Sequence, residues 1–344
     1  MFDLDLFEWV IDQGVKLGVN EIEIFASYEL NYNAELVLGS MPNVSSSQDA
    51  GVGIRVVRDK KIGFSYSTKF DKESLEKALK DAISSANASK PLADWVKLPE
   101  PSKYPDVKGL MDKRIKEASP EILLEYVGRA LQVVGSLDKR ITPLSINSGL
   151  IYGYKLIMNN HGVNIGDEGT GIYTSVATMG AEGQTRTPVC YDFDVSRELM
   201  IDPEKVGKTA AEIALNALKR ATAETGKSVV IFHPFALGSI LQYTLVRVLN
   251  GDYIKRKISP FIDKIGETIA SEQLTIIDDG TLPGGIGSGK TDDEGVPMQR
   301  KILIENGVLK SFYFDNYTGK AVGKNSTGNG SRSRGLGGGS AMPY

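Results

Sequence analysis

The apolar residues of the chain first repeat with a helical period and then with the period of a strand. Over residues 3–18 they recur every three or four positions, which predicts an amphipathic helix. Alternation of apolar and polar residues then predicts half-buried antiparallel strands, over residues 21–29, 33–39, 51–58 and 61–67. Asp71 is an N-cap candidate for a helix that extends to about Ala88. This part of the sequence therefore predicts strands combined with two helices.

A segment with little periodicity follows, and it divides the pattern into two parts. Prolines recur through residues 91–105, which is typical of a linker and places a boundary near residue 110. Beyond it, Ser119-Pro120 and Asp202-Pro203 begin helical patterns. Between these helices the sequence predicts strands over residues 149–158, 163–166, 172–179 and 189–195.

The most apolar stretch of the chain covers residues 228–257. It predicts a short strand over Val229–Phe232 and then a helix that begins at Pro234 and ends at Gly251. Because this helix is apolar on most of its circumference, we expect it to be buried on most sides. Three polar residues interrupt it: Gln242, Tyr243 and Arg247.

The C-terminal part predicts one more strand and a hairpin. The strand covers residues 273–278, and Asn306-Gly307 favours a type I′ turn between two apolar runs. The glycine-rich tail that follows is predicted to be a loop held by other parts of the protein or to be disordered.

Composition excludes several classes of protein. The 344 residues include 40 basic and 43 acidic side chains, so the net charge of −3 offers no basic surface for nucleic acid. The single cysteine, Cys190, cannot form a disulfide framework. The first residues are acidic where a secretory signal is basic, and no apolar run approaches 18 residues. We therefore expect a cytoplasmic protein that binds neither nucleic acid nor membrane.

Two local motifs invite a functional interpretation. Residues 284–291 match the phosphate-binding pattern G-x-x-x-x-G-K-[ST], but acidic residues, a glycine and a proline follow where a helix should begin. A surface loop is the favoured interpretation. Residues 292–294, with Asp278 and Asp279, form either a hard-cation site or ordinary turns, and turns are favoured. The lone histidines His161 and His233 do not predict a zinc site.

Longer segments resemble a known family. SSSQDAGVGIRVVRDKKIGFSYST, MNNHGVNIG, LNGDYIKRK and the region from DDEGVPMQR to NSTGNGSR are similar to the TldD/PmbA family, whose members are described as modulators of DNA gyrase and as metallopeptidases. The resemblance covers most of residues 21–344. It implies an α+β fold with two domains: an N-terminal α/β-sandwich-like domain, residues 1–110, and a larger domain of twisted antiparallel strands with helices, residues 111–344.

The stretch from Pro234 to Gly251 distinguishes two branches of that family. The resemblance implies that an active TldD-like subunit carries H-E-x-x-x-H there, with the histidines on zinc and the glutamate as base. The corresponding residues here are Gln242, Tyr243 and Arg247, whose side chains suit neither role. Converging residues five apart also requires a distorted helix, and Val246 is stiff where the active branch has glycine. The chain thus resembles the PmbA/TldE branch, with no catalytic residue and no metal of its own.

The resemblance also implies a role for the whole protein. It predicts the non-catalytic subunit of a heterodimeric zinc metallopeptidase that degrades unfolded peptides, with zinc in a TldD-like partner and a homodimer if the chain is isolated. Two alternatives stay open: a peptidase active by itself through unrecognised ligands, and a peptide-binding or regulatory protein without proteolysis. We expect Ser326–Gly339 to lie near the peptide path. The candidates for cavity or interface residues are Gly328, Asn329, Gly330, Arg332 and Arg334. Relatives are expected to continue beyond the point where this chain ends.

Overall fold

An antiparallel sheet of seven strands organises the chain from Glu21 to Ser196. Its strands are β1 (Glu21–Val37), β2 (Asn43–Arg58), β3 (Lys61–Ser67), β4 (Ile141–Asn159), β5 (Asn164–Glu182), β6 (Thr185–Arg186) and β7 (Cys190–Ser196). They lie in the order β3-β2-β1-β4-β5-β6, with β7 also paired to β5. The computed structural model describes residues 2–38, 40–219, 221–222, 224–332 and 339–341.

Helices cover one face of this sheet. They are α1 (Leu4–Lys16), α2 (Lys72–Ala88), α3 (Lys113–Lys116), α4 (Glu121–Leu137) and α5 (Pro203–Leu218). Side chains alternate between the two faces of a strand, and the even-numbered residues of β1 point toward the helices. Ile22 and Ile24 pack with α1 and α2, whereas Ala34 and Leu36 pack with α4 and α5. The odd-numbered residues, such as Glu23, therefore project from the opposite face, which we call the open face.

The sheet continues across the boundary expected near residue 110. β1 pairs with β4 from Glu23, opposite Asn159, to Val37, opposite Ser145. The segment predicted to be a linker is irregular, but it packs against the sheet. Trp95 and Leu98 are buried, and the backbone N–H of Leu98 donates to Glu21 Oε2 at 2.8 Å. The predicted linker therefore packs against the sheet with its apolar side chains covered, and the division into two domains stays a prediction.

Four strands, β1, β2, β4 and β5, are longer than their patterns suggested. β1 joins the strands expected at 21–29 and 33–39, and β5 joins those expected at 163–166 and 172–179. Glycines within β4 and β5 make room for aromatic rings. A Cβ on Gly149 would lie 2.4 Å from the ring of Tyr173, and one on Gly166 would lie 2.6 Å from the hydroxyl of Tyr154. Glycine at these sites therefore permits cross-strand aromatic packing.

The C-terminal part forms a smaller unit against one end of the sheet. Its elements are α6 (Pro234–Leu241), a π-helical turn (Gln242–Val246), a 3₁₀ turn (Arg247–Leu249), α7 (Gly251–Lys255), β8 (Ile276–Asp279), β9 (Arg300–Glu305), β10 (Val308–Leu309), α8 (Asn316–Ala321), β11 (Gly330–Arg332) and β12 (Gly339–Ala341). Strands β8, β9 and β10 form a sheet whose core includes Leu303, Leu309 and Phe314. Asn306 and Gly307 have φ of 48° and 79°, so the type I′ turn is confirmed.

The stretch from Ser228 to Lys257 differs most from its prediction. Val229 and Ile231 are 95% and 94% exposed and form no strand. Phe235 and Ile240 on α6 are also exposed, so burial on most sides is wrong for this helix. Apolar composition shows what a helix can bury, but the described residues leave every residue of this helix at least partly accessible. Gly251 begins α7 and does not adopt the left-handed conformation of a helix end. In the part of the chain that the structure describes, no helix is long and apolar enough to cross a membrane.

Candidate functional site

The open face of the sheet bounds a groove of about 1110 Å³. Its floor contains glycines on neighbouring strands, because the register sets Gly153 on β4 opposite Gly169 on β5, with Gly51 on β2 and Gly171 also lining the groove. Residues 286–289 of the C-terminal part form the facing wall. Glycine positions on this floor let an extended chain lie close to the sheet.

Buried charges join the C-terminal part to one end of the open face. Arg55 on β2 donates from Nη2 to Glu23 Oε2 at 2.7 Å and from Nη1 to Glu294 Oε1 at 3.3 Å. Arg332 on β11 donates to the other oxygen of Glu23. The side chains of Glu23, Arg55 and Arg332 are 1%, 7% and 3% exposed. Two arginines therefore share one buried carboxylate, and a second carboxylate completes the network.

Asp292 fixes the turn that carries Glu294. Its Oδ2 accepts the N–H of Gly330 at 2.7 Å, and its Oδ1 accepts the N–H groups of Glu294 and Val296, each at 2.9 Å. Burial and the charge of Glu294 raise the pKa of Asp292 to about 8, although the three backbone donors oppose the rise. A proton is therefore retained in this buried cluster near neutral pH.

The glycine-rich segment predicted as cavity or interface belongs to this internal contact. Gly328, Asn329 and Gly330 are buried, and Asn329 Nδ2 donates to Asp278 Oδ2 at 2.8 Å. Gly328 has φ of +69°, and a Cβ there would lie 2.2 Å from the carbonyl oxygen of Pro297. Ser331 in the same segment lines the groove.

Two further candidates have different outcomes. Arg332 forms the ion pair with Glu23, and its backbone N–H donates to Asp293 Oδ2 at 2.9 Å. Arg334 lies outside the described residues. The assignment of these residues to a substrate cavity or to a partner interface stays a prediction.

Sequence reasoning missed the charged residues at the covered end of the groove. Lys155 on β4 donates from Nζ to Asp293 Oδ1 at 2.8 Å and to the carbonyl of Thr291 at 2.9 Å. Asp167, opposite Lys155 on β5, accepts the backbone N–H of Lys290 at 2.7 Å. The sequence shows only that each is a charged residue at an open-face position of a strand. It does not show which loop packs against them, because that depends on tertiary packing.

Residues 284–291, which match the phosphate-binding pattern, form a loop, as the sequence favoured. Its backbone N–H groups at Gly285, Ser288, Gly289 and Lys290 are bonded to acceptors within the protein. The turn at Asp292 follows where a phosphate-binding loop has a helix. This arrangement does not present a cradle for phosphate.

The acidic residues considered for a cation are directed to other partners. Asp278 lies 2.8 Å from Lys301 Nζ, and Asp279 Oδ1 accepts from Thr281. Among the described residues, no three His, Cys, Asp or Glu side chains are grouped to hold a metal ion. The lone histidines have separate environments: His161 lies 3.7 Å from Glu21, and His233 caps α6.

The helix at Gln242 contains the distortion that a five-residue spacing requires. The backbone N–H of Arg247 donates to the carbonyl of Gln242, which is the bond of a π turn. The expectation that Val246 opposes such a distortion is wrong, because the π turn includes Val246. Tyr243 is 71% exposed, and the Arg247 guanidinium lies 5.9 Å from the ring centre of Tyr253.

The side chains on this turn do not fit a zinc ion. An amide, a phenol and a guanidinium stand at Gln242, Tyr243 and Arg247, whereas zinc takes imidazole, thiolate or carboxylate ligands. A permanent positive charge at Arg247 would also repel the ion. The π turn therefore places no zinc-ligating side chain at these three positions.

The chain matches known proteins over most of its length. Models of the three PmbA/TldA metallopeptidase domains match residues 22–86, 113–218 and 225–342, the first, central and C-terminal domains respectively. An uncharacterised protein of Methanocaldococcus jannaschii is 32% identical over 94% of this chain and 74% of its own length. A metalloprotease TldD homolog of Buchnera aphidicola is 33% identical over 83% of this chain and 60% of its own length.

The fold has a near counterpart among solved structures. TldE from Thermococcus kodakarensis superposes with a TM-score of 0.93 at 31% identity, covering 98% of this chain and 76% of that chain. This chain therefore spans between 60% and 76% of the length of these three relatives. The fold and the matched domains define a metallopeptidase-like protein of mixed α and β structure, so the α+β class is confirmed. The chain belongs to the PmbA/TldD metallopeptidase family.

Proposed function

We propose that this chain is the non-catalytic, TldE-like subunit of a heterodimeric zinc metallopeptidase that degrades unfolded peptides. The observation that carries the proposal is the π turn, where Gln242, Tyr243 and Arg247 stand in place of a ligand and base set. Zinc and the catalytic base then belong to a TldD-like partner, and the complex works in the cytoplasm. This chain supplies an interface and part of the substrate cavity.

The groove on the open face supports a role in holding substrate. Glycines line this floor, so an extended peptide can lie close to the sheet at these positions. A groove that accepts an extended chain suits a peptidase whose substrates are unfolded chains.

An exposed apolar surface supports the existence of a partner. Phe193 on β7 and Phe235 on α6 stack with ring centres 4.6 Å apart, and both are 40% exposed. Val229, Ile231 and Tyr191 add more exposed apolar area on the same two segments of the chain. Exposed apolar surface of this kind marks contact sites between proteins.

Mixing this chain with a TldD-like protein tests the assembly. We expect a one-to-one complex in analytical ultracentrifugation, with zinc bound in an amount equal to the TldD-like subunit. Phe193→Ser with Phe235→Ser should weaken the complex, whereas Val15→Ser, an exposed apolar residue on α1, should leave it unchanged. If the subunits stay separate at micromolar concentration, a peptide-binding protein without a catalytic partner becomes the better account.

A further inference from the structure

Two carboxylates stand directly opposite each other on the floor of the groove. Glu29 on β1 pairs in register with Asp49 on β2, and both side chains are exposed on the open face. Like charges in directly opposed positions of a sheet repel each other. Glu29 accepts a hydrogen bond from Asn31 at 2.7 Å, and neither carboxylate has an ion-pair partner among the described residues.

A third carboxylate is buried at the other side of the same groove. Asp167 is 7% exposed, and its Oδ2 accepts from the backbone of Lys290. Its Oδ1 is buried and has no hydrogen-bond partner in the described part of the chain. Asp167 lines the groove, and its Oδ1 lacks a donor among the described residues, so a cationic group that enters at this end would satisfy a buried acceptor.

The basic residues of the groove do not bond to these carboxylates. Lys155 donates to Asp293 and to the carbonyl of Thr291. Arg197 donates to the carbonyl oxygens of Thr170, Ile286 and Ser288. Both cations lie close enough to Asp167 for electrostatic interaction, but neither supplies a donor to its Oδ1. The groove therefore keeps excess negative charge along its length.

We propose that the groove selects cationic peptides: a primary ammonium group, from a lysine side chain or a peptide N-terminus, binds Asp167, and a second basic group reaches Glu29 and Asp49. This inference rests on the proposed role of the groove in holding extended peptide. Asp167 and Glu29 are separated by two strand spacings across the sheet and two residues along it, about 12 Å between Cα atoms. That distance matches basic residues about four positions apart in an extended chain.

Fluorescence anisotropy with labelled unfolded peptides tests the proposal on the full chain. The probes are an N-acetylated peptide with two lysines four positions apart, the same peptide with glutamines, the same with glutamates, and an unacetylated glutamine peptide. The first variant is Glu29→Gln with Asp49→Asn, which removes repulsion and leaves the fold intact. The second is Asp167→Asn. The control is Glu8→Gln with Asp12→Asn, which makes the same charge change on exposed α1, away from the groove.

We expect the lysine peptide to bind most tightly and the glutamate peptide least. The Glu29→Gln, Asp49→Asn variant should weaken lysine-peptide binding about tenfold, and the control should not change it. If a lysine ammonium binds Asp167, Asp167→Asn should weaken binding of the acetylated lysine peptide. If the peptide N-terminus binds there, the same substitution should weaken binding of the unacetylated glutamine peptide. If lysine, glutamine and glutamate peptides bind equally, selection of cations is wrong while the groove keeps its proposed role. If no peptide binds this chain, the proposed role itself fails.

Discussion

Arg332 donates a charge-assisted hydrogen bond to Glu23, a residue that lies 309 positions earlier in the chain. Glu23 also accepts from Arg55, so one carboxylate on β1 joins the first sheet to the C-terminal part. Both arginines are buried, and removing one partner of such a pair leaves an uncompensated charge. The geometry of the groove wall therefore depends on this contact.

Arg332→Ala should lower the free energy of unfolding by about 3 kcal/mol, as expected when a buried ion pair is broken. Urea denaturation followed by circular dichroism measures the change. Arg256→Ala is the matched control, because its pair with Asp252 is exposed, and it should cost less than about 1 kcal/mol. Equal effects of the two substitutions would show that the buried contact does not hold the C-terminal part in place.

Gly328 is required by both backbone angle and space. Gly328→Ala should destabilise the protein by more than about 2 kcal/mol, because its Cβ would clash with the carbonyl of Pro297 and φ is +69°. Gly323 has φ of +71°, but a Cβ added there would have no neighbouring atom within 4 Å, so Gly323→Ala should cost only the strain, about 1 kcal/mol. Thermal unfolding of the pair separates the two terms. Similar melting temperatures for both variants would rule out the steric contribution.

Asp292 makes stability fall as pH rises. Its pKa is about 8 in the folded protein and 3.8 as a free side chain, so the unfolded state loses this proton first. Stability should decrease from pH 5 to pH 8, by at most about 1.4 kcal/mol per pH unit for one group. Carboxyl groups with a lowered pKa, such as Asp112, titrate below this window. Glu294→Gln should flatten the slope, because it removes a charge that raises the pKa of Asp292. Stability that does not change between pH 5 and pH 8 would show that Asp292 is ionised throughout.

Alternation along the strands was enough to predict most of the large sheet. The strand at residues 61–67 has the expected bounds, and the one expected at 51–58 forms the second half of β2, because the apolar face of each is buried by a helix. The pattern failed for residues 229–232, since the described chain provides no neighbour for that apolar segment. Periodicity also cannot show that β1 pairs with β4, because that pairing joins residues more than one hundred positions apart.

The candidate site was only partly visible in the sequence. Gly328 to Gly330 were found through their glycine-rich composition, but their partners Asp292 and Asp278 depend on tertiary packing. Glu23 and Arg55 are charged residues in strands where apolar and polar positions alternate. Nothing in the local sequence distinguishes them from solvent-exposed positions, because it is the C-terminal part that covers them. Residue chemistry alone predicted the poor fit of Arg247 to zinc.

The π turn predicts what introducing zinc ligands would do. Because the N–H of Arg247 bonds the carbonyl of Gln242, these two residues lie one wide turn apart on the same side of the helix. Gln242→His with Tyr243→Glu and Arg247→His should gain one zinc per chain, measured by mass spectrometry under native conditions. The control is Gln242→His with Leu245→His, because residue 245 is partly buried against the C-terminal core. No zinc in the triple variant would show that backbone geometry does not suffice.

Peptide cleavage by separate and mixed subunits tests the central claim most directly. An unfolded casein-type peptide is incubated with this chain, with a TldD-like protein, and with both, and products are measured with and without a chelator. We predict no cleavage by this chain alone and chelator-sensitive cleavage by the mixture. Chelator-sensitive cleavage by this chain alone, retained in Gln242→Ala, would contradict a non-catalytic role and would require ligands elsewhere in the protein.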